Sequence, residues 1–355
     1  MASPPWSTPL EEWQFLLARE LAGIFDAEAW EARDGAVRFR GRLLVEPDRA
    51  FAILSDRLRP LGYVPQLLRP DEIALLRVGP AGRPAGTRRW ALPAGLFLAT
   101  IFTTFLVGGP WYAVAVMAIL AFHELGHYVT ARLYGMRVSL PLFIPMPLPP
   151  MGTMGAIIRM RSPVPDRRAL FDVGIAGPLA GLLLAIPLTV VGLSMSRVVT
   201  HMPKGIVGME FQEPILFQMM TRLVLGRVPE GGTVLAHPLA IAGWVGFFVT
   251  ALNLIPAGQL DGGHITYAVL GRRHDKVALL TVCALFGMAL FPWLLGSAIQ
   301  LNWAVWGSLL LVIGYRHPPP LNDLTALDPV RRAIGVSTWG LFFLLIPPAP
   351  FVSFP

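Results

Sequence analysis

Beyond Trp90 the sequence falls into runs with few or no charges, over 90–109, 110–131, 170–196, 237–256, 277–315 and 333–355. About 20 apolar residues cross a bilayer, and backbone in hydrocarbon has to satisfy its own hydrogen bonds, so each run is expected to be helical. The run 277–315 is long enough for two spans with a turn near Gly296. The expectation is a polytopic α-helical membrane protein with about seven transmembrane helices. Composition agrees: 54% of residues are hydrophobic and only 14% charged, against roughly 25% charged in soluble domains.

The first 88 residues read differently. "VRFRGRLL" (37–44) and "EIALLRV" (72–78) alternate as strands do, and "PDRAFAILSDRLRPLG" (47–62) has the spacing of an amphipathic helix opened by proline. With a further helix near 10–32, this stretch is expected to be a small soluble α+β domain, followed by a membrane domain over 89–355. The Gly-, Pro- and Arg-rich "GPAGRPAGTRR" (79–89) reads as the linker between them.

The first 30 residues, interrupted by Pro4, Pro5 and Pro9, hold no apolar signal core, so insertion is expected to come from the internal spans. The formal net charge is +7, and Lys204 and Lys276 are the only lysines. Basic residues cluster in 132–168, 271–276 and 316–332, whereas the turn at 107–110 and the one near 296 carry none. By the positive-inside rule the N-terminus and these clusters are cytoplasmic. No basic stretch is interleaved with stacking aromatics, so no nucleic-acid partner is expected. The single cysteine, Cys283, excludes an internal disulfide framework.

Within the second run, "AILAFHELGHYVTARLYG" (118–135) places two histidines and a glutamate in a span where charge is costly. His123 and His127 are four residues apart, on one helix face, where both imidazoles can meet one ion, and Glu124 stands beside that ion. A hydrogen-bond cluster between helices is the other reading of the same residues. A catalytic zinc usually takes three protein ligands. Outside the motif, the acids near the spans are Asp172, which reads as a cap or ion pair, and Asp261 in "ALNLIPAGQLDGGHI" (251–265). The topology brings Asp261 to the same side as His123 and His127.

"HELGH" followed by "NLIPAGQLDG" (253–262), each in a membrane segment, resembles the site-2 protease family of intramembrane zinc metalloproteases. "MGTMGAIIRMRSPVPDRRALFDVGIAGPLAG" (151–181) is similar to that family's glycine-containing loop and following span. The resemblance covers about 100–270 and looks nearest to the branch of bacteria, cyanobacteria and plastids with a soluble N-terminal domain. It implies one zinc ion per chain on His123, His127 and Asp261, with Glu124 as general base and Asn253 as oxyanion donor. The implied partner is a transmembrane protein or peptide, cleaved in the lipid bilayer of the cell membrane. A zinc-binding transporter or an inactive scaffold of the same fold is the alternative.

In "GTMGAIIRM" (152–160) the glycines break a helix while Ala156, Ile157 and Ile158 favour an extended strand. Gly152, Gly155, Ala156, Ile157 and Ile158 are therefore expected to bind substrate by strand addition. His264, three residues beyond Asp261, reads as a supporting residue rather than a ligand. Met146, Met151, Met154 and Met160 read as apolar packing.

Overall fold

The computed structural model describes residues 10–33, 36–77, 90–147, 151–200, 212–229, 231–294 and 301–347. The chain divides into two compact units. One holds residues 1–86 with 163–170 and 318–327, and the other holds 87–162, 171–317 and 328–355.

The first unit is built from α1 (Leu10–Leu21), β1 (Phe25–Arg33), β2 (Ala36–Leu43), α2 (Pro47–Leu58), β3 (Tyr63–Arg69) and β4 (Glu72–Arg77). Its sheet runs β1-β2-β4-β3, with every one of these pairings antiparallel. The helix expected over 10–32 stops at Leu21. Gly23, at φ 75°, turns the chain, and Phe25–Arg33 then pairs with β2 as a strand. Ala50, Leu54 and Leu58 lie one turn apart on α2 and are fully buried. With Leu17, Leu21, Phe39, Ile73 and Leu75 they form the core between helices and sheet.

Two segments remote in sequence complete this unit. The Leu67 N–H donates to the Leu321 carbonyl (2.7 Å) and the Asp323 N–H to the Leu67 carbonyl (3.0 Å), so 321–323 extends the β3 edge in parallel. Asn322 in turn pairs with Asp166 on its other side. Asp48 accepts hydrogen bonds from Asn322 Nδ2 (3.0 Å) and Thr325 Oγ1 (2.8 Å). Arg167 Nε donates to buried Asp323 (2.8 Å). A domain ending at residue 88 does not include these segments. The expected linker at 79–89 lies outside the described residues.

The second unit begins with α3 (Ala91–Leu133), which is two helices joined at Gly109 (φ 75°) with Pro110 opening the second. β5 (Leu142–Pro145) pairs antiparallel with β6 (Thr153–Ile157). Then come α4 (Arg167–Ser194), β7 (Arg197–Val199), α5 (Ile215–Leu225), β8 (Thr233–Leu235), α6 (Pro238–Asn253), α7 (Asp261–Leu270), α8 (His274–Leu294), α9 (Leu301–Ile313) and α10 (Pro329–Leu345). Among the described residues, three helical stretches are long and apolar enough to cross a membrane: Ala91–Leu133, Arg167–Ser194 and Asp261–Leu294. α5, α6 and α9 are shorter apolar helices. The turn expected near Gly296 lies outside the described residues.

Polar groups lock the end of the histidine-bearing helix. Tyr134 donates to Asp172 Oδ2 (2.5 Å), and Arg331 at the start of α10 grips both oxygens of the same carboxylate (2.8 and 2.7 Å). Asp172 is thus in an ion pair, as its sequence context suggests, though with Arg331 rather than with neighbouring Arg167 or Arg168.

Candidate metal centre

Helical periodicity in α3 puts His123 and His127 one turn apart, with Nε2 atoms 3.1 Å from each other. Asp261, the first residue of α7, brings its Oδ2 to 3.2 Å from both. Among the described residues these form the one group of three or more His, Cys, Asp or Glu side chains converging closely enough to share an ion. Donors 2.0–2.1 Å from a tetrahedral zinc are roughly 3.3 Å apart, so the triangle fits that ion. All three side chains are largely buried, with His123 only 3% exposed.

Local sequence explains each ligand's position. His127 Nδ1–H donates to the Val173 carbonyl of α4 (2.7 Å), which fixes the tautomer and leaves Nε2 as the free lone pair. α4 approaches this closely because it carries glycine where it faces α3. A Cβ on Gly181 would lie 3.3 Å from His123. On α7, side chains at Gly262 and Gly263 would overlap the carbonyls of Leu254 and Gly258, so only glycine lets the helix begin packed on its own preceding turn. Asp261 is set down by that turn.

Glu124 is buried next to the triangle and is not one of its corners. Asn253, the last residue of α6, places Nδ2 at 3.3 Å from His123 Nε2. His264 pairs through Nδ1 with His317 Nε2 (2.6 Å) and contributes no atom to the triangle.

The triangle opens on a cavity of about 330 Å³ lined by His123, Glu124, His127, Asn253, Asp261 and His264 together with β6 and α9. Of the five residues expected to bind substrate, Ala156, Ile157 and Ile158 line this cavity; Gly152 and Gly155 do not. Gly152 instead docks the loop. It sits at φ 73°, its carbonyl accepts from Thr103 Oγ1 (2.7 Å), and a Cβ on it would crowd the Thr104 Cα. Tyr112 OH donates to the adjacent Met151 carbonyl (2.8 Å). These two α3 side chains have no distinguishing sequence signal, because isolated Thr and Tyr in an apolar run are common.

The family model for peptidase family M50 matches residues 111–292, which contain every corner of the triangle. The chain belongs to peptidase family M50, the site-2 protease family. It is 36% identical over 245 residues to the probable zinc metalloprotease EGY1, chloroplastic, of Oryza sativa subsp. japonica, covering 66% of this chain and 40% of that protein. The Arabidopsis thaliana protein of the same name is also 36% identical, with 66% and 42% covered. The probable zinc metalloprotease EGY2, chloroplastic, of Arabidopsis thaliana is 26% identical over 370 residues, covering 92% of this chain and 63% of that one. The chain thus spans between two fifths and two thirds of the length of these relatives. No solved structure matches.

Proposed function

We propose that this M50 chain is an intramembrane zinc endopeptidase, cutting a peptide bond within or beside a transmembrane segment of a protein substrate in regulated intramembrane proteolysis. The observation that carries the reading is the buried His123–His127–Asp261 triangle, with Glu124 beside it, on a cavity edged by a strand. A helical peptide keeps its carbonyls in its own hydrogen bonds and sheathed by side chains, out of reach of a buried metal site. The substrate therefore enters unwound.

When bound, zinc supplies Lewis acidity that acidifies water and polarises a carbonyl. The protein's own groups do the rest. Glu124 accepts the proton of the attacking water and returns it to the leaving amine. Asn253 donates its amide N–H to the oxygen that gains charge during attack. The open edge of β6 pairs with the unwound substrate and replaces the hydrogen bonds its helix gave up.

Six apolar runs, one of them long enough for two spans, support about seven spans, and arginine placement supports a cytoplasmic N-terminus in the cell membrane. Reporter fusions after Arg89, Arg161, Lys276 and Arg332 should score cytoplasmic and one near Lys204 should score on the opposite side. A cytoplasmic score near Lys204 overturns the count of spans.

The deciding experiment uses detergent-purified full chain, assayed for metal and for cleavage of single-span peptides. Glu124→Gln should keep about one zinc and lose cleavage, whereas His123→Ala, His127→Ala and Asp261→Ala should lose both. Zinc without cleavage in the wild type would favour a carrier or scaffold.

A further inference from the structure

One wall of the cavity comes from α9, which contributes no residue to the metal triangle. Trp306, Leu309, Leu310 and Ile313 line it, and their spacing of three, four and seven residues makes them one stripe of the helix. α9 is held firmly behind that stripe. A Cβ added to Gly307 would meet the Phe286 ring of α8 at 3.0 Å. Past its end, the Tyr315 carbonyl accepts the N–H of Gly258 (2.8 Å). Gly258 lies in the turn that sets down Asp261, so the stripe and the metal ligand share an anchor.

The other wall carries Ala156, Ile157 and Ile158 of the β6 region. A peptide paired with that edge sends alternate side chains to opposite faces, and the stripe is a continuous apolar surface for one of them. The stripe is one indole and three aliphatic side chains; the indole takes room that an aromatic substrate side chain would need, while Leu309, Leu310 and Ile313 offer an aliphatic one a matching surface.

We infer that the α9 stripe, with Trp306 as its bulkiest member, is the specificity pocket for the substrate side chain next to the scissile bond, and that it selects an aliphatic residue of leucine or methionine size. The inference rests on the peptidase reading above.

The test uses zinc-loaded full chain and single-span peptides that differ only at the residue beside the cut, as Ala, Leu or Phe. The wild type should prefer Leu. Trp306→Ala should raise the Phe-to-Leu ratio of kcat/KM by about tenfold, the lower end of what one misfitted apolar group costs. Ser308→Ala, exposed and outside the stripe, should leave the ratio unchanged. In a Glu124→Gln background, binding of the uncleaved peptides by fluorescence anisotropy should shift in the same direction. Leu309→Ala and Trp306→Leu repeat the test with milder changes, should Trp306→Ala fail to fold. Normal cleavage with an unaltered ratio in these variants overturns the pocket. Cleavage of no peptide by the zinc-loaded wild type overturns the peptidase reading itself.

Discussion

Gly177 of α4 lies directly against His127: a Cβ built on the glycine would overlap Nε2, the imidazole atom that faces Asp261. The helix carrying the Val173 acceptor and the helix carrying the ligand therefore approach each other at a point where no side chain fits. Gly177→Ala should displace the imidazole rather than relax harmlessly, because the clash is with a ring anchored by its Nδ1 bond to Val173 (2.7 Å). Overpacking of this kind typically costs about 1–3 kcal/mol. Metal analysis of the purified variant should find zinc well below one per chain, with cleavage reduced in proportion. Gly287→Ala and Gly340→Ala, where an added Cβ meets nothing within 4 Å, should keep full zinc. Full occupancy in Gly177→Ala would show that the helices separate without cost.

Asn253 is predicted to act on the reaction and not on the metal. Its Nδ2 stands 3.3 Å from His123 Nε2, beside the triangle. Loss of one oxyanion donor costs about 10²–10³ in kcat. Asn253→Ala should show that loss with zinc content and thermal midpoint near wild type. If zinc falls instead, Asn253 serves to hold His123.

How much of this was legible in the sequence depends on the range of the interactions involved. His123, Glu124 and His127 declare themselves through a spacing that only helix geometry has to honour, and Asp261 follows once the spans are counted. The strand at 63–69 was not foreseen: "YVPQLLR" carries a proline and no strict alternation, and the tertiary pairing with β4 decides it. Gly177, the α9 wall and the 321–323 strand are invisible for a related reason. Each is defined by a partner some 50 to 250 residues away, and nothing local marks it. The glycines of 151–181 could be read as helix breakers or as contact points, and α4 uses Gly177 and Gly181 as contact points inside an intact helix.

The first unit supplies a third prediction. Asp48 receives hydrogen bonds from Asn322 (3.0 Å) and Thr325 (2.8 Å), whose residues are 2% and 3% exposed. Removing the acceptor leaves buried donors unsatisfied, at about 1–3 kcal/mol. Asp48→Ala should therefore speed limited proteolysis between Arg316 and Asp328. Asp56→Ala, on the same helix, has no such partners among the described residues and should cleave at the wild-type rate. Equal rates would mean that the β3 edge and the Arg167–Asp323 pair hold 318–327 without Asp48.

The last prediction concerns the strand that edges the cavity. In β6, Ala156 pairs with Phe143 and Ile157 with Leu142, so one edge is occupied by β5. Its two-stranded sheet leaves the other edge without a strand partner among the described residues, and Ala156, Ile157 and Ile158 line the cavity. Successive N–H groups of a strand point to opposite edges, so of Ile157 and Ile158 one presents its donor to the open side. Proline removes that donor without touching a metal ligand. Ile157→Pro and Ile158→Pro are therefore expected to differ. At least one should insert normally, hold about one zinc and lose about tenfold in kcat/KM, the equivalent of roughly one hydrogen bond at 1.4 kcal/mol. Ile157→Val and Ile158→Val, which keep the N–H and most of the side chain, should stay near wild type. Cleavage at the wild-type rate by both proline variants would mean that the substrate is held by side chains and that β6 is only a connector.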